Sequence, residues 1–478
     1  MKVHLVWLRN DLRITDNKAL YAACHNQNAK VIAVFIATPK QWLQHRMSAR
    51  QANFIYTNLI QVQRSLALRG IFFEYHQCDY FIDMIEWLDS YCLQKKVTDF
   101  FYNRQYEINE ARRDAILEKR LKNRVVCQSF DDSVLFPPGS ILNNAGQMYK
   151  IYTPFRTAFI KKLAQANLSS LAAPVIRQTG PVNIEKIPQF FNYSFQEVDP
   201  MFPIGEQNAL CILREFCKQK VQDYVKHRDI PAIQGTSKLS PYLSIGVLSP
   251  RQCWNRLKKE FVDLLIQPNS GAFSWLNELI WREFYRHLMA LYPSICKGIP
   301  FILWTEKIAW NNNPNDIQAW KQGLTGFPII DAAMRQLNTI GWMHNRLRMI
   351  TASFLVKDLL IDWRIGEKYF MSQLLDGDFA SNNGGWQWAA STGNDSVPYF
   401  RIFNPTTQGK KFDPQGIFIR YWLPELKTVP EKYIHTPHNW INGKDSTLNY
   451  PLPIIDHKEA RDRALNQYYT AKKFDTND

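Results

Sequence analysis

Hydrophobic positions in the first 130 residues come in short runs of β-branched and aromatic residues, separated by longer stretches with polar positions between the apolar ones. Five runs have the composition of strands, and they are VHLVWL, KVIAVFIA, IFFEYH, VTDFFYN and RVVCQSF. The stretches between them, such as 47–69 and 109–122, have the spacing of helices. This alternation predicts an N-terminal α/β domain at residues 1–130, built on a doubly wound, Rossmann-like parallel sheet.

The pattern changes after residue 130. Residues 131–201 are rich in Pro, Gly and Asn and lack a sustained period, which predicts a long interdomain linker. Tyr152 and Phe155 lie inside it, so we expect part of the linker to pack on a domain surface. From residue 202 to 478 apolar residues recur at three- and four-residue spacing, most clearly over 271–291. This spacing predicts a large all-α C-terminal domain.

Charge and cysteine content narrow the class of protein. Lys and Arg number 58 against 43 Asp and Glu, a net charge of +15. Such a surface favours a polyanionic partner, with nucleic acid as the first candidate and a generally basic enzyme as the alternative. The eight cysteines form no C-x-x-C pair or Cys/His cluster, which predicts no metal site and suits a reducing cytoplasm. The longest apolar run, 31–37, is too short to span a bilayer, so we expect no membrane association and no export.

Two helical segments combine aromatic and polar residues on one face. The first, at 271–291, carries residues at offsets that share a face, namely Trp275, Glu278, Trp281, Arg282 and Tyr285. Such a face fits base stacking with polar groups for a base edge, although a salt-bridged helix edge with aromatic packing is the alternative. The second, at 342–349, places Trp342, Asn345, Arg348 and Met349 on one side, where Asn and Arg could hold a base, a flavin ring or a phosphate.

Two further segments offer groups for a cofactor. LLDGDFASNNGGWQWAAS contains Asp376 and Asp378, spaced like metal ligands but without a third partner, so hydrogen bonding to ring N–H groups is the other use. Its Gly384–Gly385 pair would let backbone approach a flat ligand. GTSKLS, at 235–240, offers hydroxyl and N–H groups suited to a pyrophosphate, although Ser/Thr runs usually cap helices.

Six motifs follow one another in unbroken order from about residue 2 to beyond 460. They are LVWLRNDLRITDN, GTSKLS, WLNELIWREFYRH, GWMHNRLRM, DGDFASNNGGWQWAASTG and RIFNPTTQGKKFD. Together they resemble the photolyase/cryptochrome family, and most of all its bacterial class I cyclobutane pyrimidine dimer photolyases with a folate antenna. The resemblance implies an N-terminal antenna domain and a helical domain that binds FAD.

The resemblance also implies FAD contacts. They are Tyr224, Thr236, Ser237, Lys238, Leu239, Ser240, Trp275, Arg282, Asn345, Arg348, Asp376, Gly377, Asp378 and Asn382. Close relatives have Arg at the position of Lys238, which is a mild departure because contact there is largely through backbone. Catalytic roles fall to Glu278, Asn382, Arg348 and Asp376. Asn382 is expected beside the reactive flavin nitrogen, and Arg348 with Asp376 is expected to favour the reduced anion.

Further implied residues serve DNA, electron transfer and the antenna. DNA contacts are Arg228, Glu278, Trp281, Arg282, Tyr285, Asn345, Arg346, Met349, Trp388 and Gln408. Trp281 and Trp388 would form apolar walls for a flipped dimer. An electron relay runs through Trp386, Trp363 and Trp310. The antenna, 5,10-methenyltetrahydrofolate, would contact His45, Asn109, Glu110, Cys296 and Lys297, although antenna identity varies across the family.

The implied activity is light-driven repair of cyclobutane pyrimidine dimers in DNA, by electron transfer from excited reduced FAD to the extruded dimer. We expect a cytoplasmic monomer without an obligate protein partner. One alternative is a cryptochrome-type blue-light photoreceptor. Another is a (6-4) photoproduct photolyase, which uses a pair of His, whereas Met349 occupies one of those positions. A basic DNA-binding module without catalysis is the third.

Overall fold

The computed structural model describes residues 1–177, 182–440 and 449–476. Of the predicted linker, 178–181 lie outside the described residues, as do 441–448 and 477–478 of the predicted helical domain. The chain forms two compact units. Unit 1 comprises Met1–Gln222, Ser237–Pro293 and Leu375–Ala380, and unit 2 comprises Asp223–Thr236, Ser294–Leu374 and Ser381–Asp478. The predicted division at residues 130 and 201 stays a prediction.

A five-stranded parallel sheet forms the N-terminal part of unit 1. Its strands are β1 (Val3–Leu8), β2 (Lys30–Ala37), β3 (Phe72–Gln77), β4 (Asp99–Asn103) and β5 (Val126–Phe130), in the order β3-β2-β1-β4-β5. In register, Val3 of β1 faces Lys30 of β2, and His4 faces Asp99 of β4. Each predicted run overlaps one strand, and the order reverses at β1, so the predicted doubly wound α/β class is confirmed.

Crossover helices cover the sheet. The helices of the N-terminal part are Lys18–His25, Pro39–Gln44, Ala49–Ala67, Phe81–Gln94 and Ile108–Leu121. On one face Leu5 and Trp7 of β1 pack in a buried cluster with Leu88 and Leu117 of two of these helices. Lys18–His25 lies against β1 and β4. Burial on both faces explains why the strands are continuous apolar runs rather than alternating ones.

The predicted linker contains a helix that the sequence analysis missed, Tyr152–Gln165. Its residues Phe155 and Phe159 have no exposed surface. Further along, Phe191 is also fully buried and stacks on Phe35 at a centroid distance of 5.7 Å. The expectation that part of the linker packs on a domain surface is therefore confirmed.

A buried ionic cluster joins the sheet to later helices within unit 1. Arg251 pairs with Asp16 at 3.1 Å and with Asp132 at 2.6 Å, and Arg13 forms a second ion pair with Asp132. Ser249 donates a hydrogen bond to Asp16, and none of these residues exceeds 2% exposure. Burial alone would raise the pKa of Asp132, but the two guanidinium charges outweigh it and lower that pKa. The cluster therefore keeps its charges inside the protein.

The remaining elements are helical, which confirms the predicted all-α character of the C-terminal part. The α-helices are Glu206–Glu215, Tyr224–His227, Ser240–Ser244, Pro250–Glu260, Gly271–Leu291, Pro314–Gln322, Pro328–Ile340, Asn345–Ser353, Trp363–Gln373, Phe379–Ala390, Pro405–Phe412, Ile417–Trp422 and His457–Thr476. Phe216–Lys220 and Phe354–Asp358 are π-helical. The core of unit 2 includes Trp320, Leu337, Leu355 and Ile419. Within the described ranges, no helix has the length and apolar character needed to cross a membrane.

Arg251→Ala is expected to lower the free energy of unfolding by about 3 to 5 kcal/mol, because it leaves Asp16 without its arginine in a dry site. The measurement is a urea titration followed by circular dichroism. Arg124→Ala is the matched control, since Arg124 pairs with Asp89 at the surface, where an ion pair contributes less than about 1 kcal/mol. Equal losses in the two variants would contradict this reading of the cluster.

Candidate active site

The helix Gly271–Leu291 supplies most of the site residues of unit 1. Ser270 caps it by accepting a hydrogen bond from the Phe273 N–H. Gly271 allows a close approach of backbone, since a Cβ there would lie 1.9 Å from the carbonyl oxygen of Val221. One side of the helix faces the core, where Trp275 lies 5.1 Å from the ring of Phe216. The partly exposed side carries residues predicted for the dimer and DNA, namely Glu278, Trp281, Arg282 and Tyr285.

Trp281 is stacked on a residue that the sequence analysis did not assign to the site. The ring of Tyr152 lies parallel to it, with centroids 3.5 Å apart and planes 7° apart. The ring centroid of Tyr285 also lies 5.7 Å from that of Trp281. One face of the indole is thus covered from within unit 1.

Two arginines of this helix, which lie one helical turn apart, bond to other groups of unit 1. Arg282 donates to the carbonyl oxygen of Ser133 at 2.6 Å, and burial lowers the pKa of its guanidinium to about 10, so it stays charged at neutral pH. Arg286 forms an ion pair with Asp378. The sequence analysis missed Arg286, although its four-residue offset from Arg282 places it on the same helical face. Asp378 therefore already has a cationic partner within the protein, the guanidinium of Arg286.

The segment 235–240 crosses from one unit to the other. In unit 1, Lys238 has a left-handed backbone with φ of 51°, and its amine lies 3.1 Å from the sulfur of Met201. Leu239 is buried, whereas Ser237 and Ser240 retain exposure. The helix after this segment, Ser240–Ser244, has only five residues. Gly377, also in unit 1, accepts a hydrogen bond from Gln51 through its carbonyl oxygen at 2.6 Å, and Asp376 beside it is buried.

In unit 2 the helix Asn345–Ser353 begins later than the sequence analysis assumed. His344 is its N-cap, because its Nδ1 accepts from the Arg346 N–H at 3.2 Å, and burial lowers the pKa of the imidazole to about 4. Trp342 precedes the helix, so the prediction that it shares a helical side with Asn345 is wrong. Arg348 donates to the carbonyl oxygen of Met343 at 2.8 Å.

The predicted DNA-binding arginines of unit 2 meet at one aspartate. Arg346 makes two hydrogen bonds to Asp229, at 2.8 and 3.2 Å, and its guanidinium lies 4.5 Å from the ring of Phe412. Arg228 lies 3.9 Å from the same carboxylate and over the ring of the buried Tyr224. The other unit 2 residues predicted for FAD or DNA keep partial exposure, and they are Thr236, Met349, Trp388 and Gln408.

Asn382 is oriented by a chain of neutral and acidic groups in unit 2. Its amide donates to the carbonyl oxygen of Glu367 at 3.0 Å, which leaves its own oxygen as an acceptor. Asn383 donates to the Glu367 carboxylate at 2.8 Å and accepts from Gln387 at 2.9 Å. Gln387 in turn accepts from the Phe301 N–H. The sequence analysis named Asn382 but missed the three side chains that fix its helix.

The three tryptophans predicted to form the electron relay all belong to unit 2. Trp386 and Trp363 are core residues with 2% and 1% exposure, and Trp310 packs against the same core while half-buried. The ring centroids of Trp386 and Phe370 are 4.9 Å apart. Those of Trp310 and Tyr468 are 6.3 Å apart. Trp310 is therefore the most exposed of the three, as the predicted outer end of the relay requires.

Three of the five predicted antenna residues lie together in unit 1. His45 lies 3.4 Å from the carboxylate of Glu110, and Asn109 lies 3.1 Å from the other ring nitrogen of His45. Burial would raise the pKa of Glu110, but the hydrogen bond from His45 and its charge lower it. Cys296 and Lys297 belong to unit 2, in the 3-10 turn Pro293–Lys297.

Two family models match the part of the chain with the doubly wound sheet and the helical part. The model for the FAD binding domain of DNA photolyase matches residues 275–470, and the model for DNA photolyase matches residues 4–175. The chain belongs to the DNA photolyase family.

Individual relatives are similar over the full length. The deoxyribodipyrimidine photo-lyase of Escherichia coli (strain K12) is 54% identical over 476 residues, covering 99% of this chain and 100% of the relative. A bacterial class III photolyase from Agrobacterium tumefaciens superposes with a TM-score of 0.85 at 33% identity, covering 99% of this chain and 98% of that one. A Synechocystis cryptochrome has the same TM-score at 27% identity, with 98% and 99% coverage.

Gly366→Ala is expected to displace the indole of Trp386, because a Cβ at 366 would lie 2.1 Å from its Cη2 atom. Ala is the better helix former, so a loss of stability reports the collision, with an expected size of about 1 to 3 kcal/mol. Urea unfolding and tryptophan fluorescence measure it. Gly385→Ala is the matched control, since nothing lies within 4 Å of a Cβ there. Wild-type stability and fluorescence in Gly366→Ala would exclude the collision.

Proposed function

We propose that this protein is a deoxyribodipyrimidine photo-lyase, which uses light to split cyclobutane pyrimidine dimers in DNA. The observation that carries the proposal is the helix Gly271–Leu291, which presents Glu278 and the partly exposed Trp281, stacked on Tyr152, beside the charged Arg282. This combination suits a flipped base, whose ring needs an apolar wall and whose edge needs hydrogen bonds. The similarity to deoxyribodipyrimidine photo-lyase over the whole chain supports it.

The donor set fits FAD. In unit 1, Arg282 and Lys238 supply cations, and Ser237 and Ser240 supply hydroxyls, as a pyrophosphate requires. In unit 2, the space beside Gly385 would admit a flat ring. The residues that we propose to hold FAD are Tyr224, Thr236, Ser237, Lys238, Leu239, Ser240, Trp275, Arg282, Asn345, Arg348, Asp376, Gly377, Asp378 and Asn382. When bound and reduced, FAD supplies one electron on excitation by light and takes it back after the ring opens.

The chain's own residues supply orientation and charge. Asn382 would accept a hydrogen bond from a ring N–H through its amide oxygen, while one of its amide hydrogens bonds to the carbonyl oxygen of Glu367. Arg348 and Asp376 would set the charge that favours the reduced anion. The residues that we propose for DNA are Arg228, Glu278, Trp281, Arg282, Tyr285, Asn345, Arg346, Met349, Trp388 and Gln408. Because Arg346 already bonds to Asp229, it would reach a phosphate only by sharing its guanidinium between two anions.

We also propose that Trp386, Trp363 and Trp310 carry electrons to the flavin, and that 5,10-methenyltetrahydrofolate is the antenna. The greater exposure of Trp310 supports the first assignment. The cluster of His45, Asn109 and Glu110 supports the second, since it offers both donors and a carboxylate. We further propose that the protein is a cytoplasmic monomer, and the eight free cysteines, which persist in a reducing compartment, support the location.

The test is loss of dimers from ultraviolet-irradiated DNA by the purified, flavin-loaded protein, in light and in darkness. Light-dependent loss supports the proposal. A protein that binds flavin but leaves dimers intact would be a photoreceptor instead, and a protein without flavin absorbance would be a DNA-binding module.

Glu278→Ala is expected to lower the yield of ring opening per absorbed photon more than it lowers dimer binding. A hydrogen bond that involves a charged group contributes about 1.5 to 3 kcal/mol. Stacking, at about 1 to 3 kcal/mol per base, remains for recognition. A dimer-binding titration and a repair-yield measurement on one preparation decide the matter, with Glu278→Gln as the variant that keeps a hydrogen bond. A normal yield with lost binding would make Glu278 a recognition residue only.

Trp310→Phe is expected to stop photoreduction of oxidised flavin while chemically reduced enzyme still repairs dimers at nearly the wild-type rate. Phe keeps most of the packing but is much harder to oxidise than Trp. Flavin absorbance under illumination measures the first effect. Trp304→Phe is the control, because Trp304 packs in the same cluster as Trp310 and is not assigned to the relay. Photoreduction at the wild-type rate in Trp310→Phe would refute the assigned relay.

A further inference from the structure

The contact between Tyr152 and Trp281 has the geometry of a fixed platform. The centroid separation of 3.5 Å is the contact distance of two carbon atoms, so the parallel rings overlap almost completely. Tyr152 is buried, with 5% exposure, whereas Trp281 keeps part of its surface in solvent. One face of the indole is therefore sealed by Tyr152, and a base can stack only on the other.

Tyr152 is itself fixed to the helix that carries Trp281. Its hydroxyl donates to the carbonyl oxygen of Asn277 at 2.9 Å, and Asn277 lies four residues before Trp281 in the helix Gly271–Leu291. The ring of Phe284 meets Tyr152 edge-on at 5.8 Å and Trp281 at the same distance. Tyr152 thus contacts residues that come before and after Trp281 in the helix. These contacts fix the ring of Tyr152 relative to that helix.

We propose that Tyr152 is a positioning residue, which holds the Trp281 indole in the one orientation that receives an extruded pyrimidine dimer. The inference rests on the proposed function of Trp281. A partly exposed indole without such a support has several rotamers, and choosing one on binding has an entropic cost. Stacking on Tyr152 orders the indole when the protein folds, so it need not be ordered when the dimer binds.

Tyr152→Leu is expected to weaken binding of a dimer-containing oligonucleotide about 3- to 10-fold, the range that corresponds to one ordered side chain. Binding of undamaged DNA, flavin content and photoreduction should stay at wild-type levels. Tyr152→Phe, which keeps the ring and loses only the hydroxyl, should restore dimer binding to within about 2-fold, because stacking carries the effect. Near-ultraviolet circular dichroism reports the Tyr–Trp stack independently of activity.

Phe155→Leu is the matched control, since Phe155 is fully buried in the same helix and packs on Phe284 rather than on Trp281. It should lower stability without changing the preference for dimers. In a Trp281→Ala background, Tyr152→Leu should have no further effect on binding. Tyr152→Met, which fills a similar volume without a ring, replaces the Leu variant if the latter does not fold.

Four results would overturn the proposal. The first is wild-type dimer binding by Tyr152→Leu, or by Tyr152→Met where that variant replaces it. The second is an equal loss of dimer preference in Phe155→Leu, and the third is a full additional loss in the Trp281→Ala background. If Trp281→Ala alone binds dimers normally, the assignment of Trp281 fails together with this inference. Light-dependent repair by the wild-type protein tests the activity separately.

Discussion

The buried cluster of Arg13, Asp16, Asp132 and Arg251 is the constraint on which unit 1 depends. Burying even one ion without a partner costs several kcal/mol, so the cluster exists only when all its members are in place. Its members come from the loop after β1, from the chain after β5 and from the helix Pro250–Glu260. Because an ion pair needs correct geometry, the cluster fixes where the later helices attach to the sheet.

Each unit supports its site residues by a different kind of bond. In unit 1 charged groups hold one another, as Arg286 holds Asp378. In unit 2 Asn382 donates a hydrogen bond to the backbone carbonyl of Glu367, whose carboxylate is linked through Asn383 and Gln387 to the backbone at Phe301. An ion pair fixes the positions of its two charged partners, whereas a chain of amides sets the direction of single hydrogen bonds. Both kinds of interaction hold polar side chains in place before a ligand binds.

The sequence predicted the strands well, because runs such as KVIAVFIA are strongly apolar and bounded by polar residues. It failed where contacts distant along the chain decide the structure. The helix Phe379–Ala390 contains Asn and Gly residues of low helix propensity, and its Asn383 and Gln387 side chains are held by residues far outside it. The identities of site residues came from motif resemblance. Their supports, Tyr152 and Arg286, could not be found that way, since no motif links position 152 to 281.

The ionic cluster also bears on how the protein is made. Asp132 is translated 119 residues before Arg251, which at about 5 to 20 residues per second is a delay of about 6 to 24 s on the ribosome. During that interval the side chain of Asp16 lacks both Ser249 and Arg251. The strands of the sheet can therefore form during synthesis, but the ionic cluster cannot yet be completed. The dry interior of unit 1 is completed only after the helix Pro250–Glu260 has left the exit tunnel.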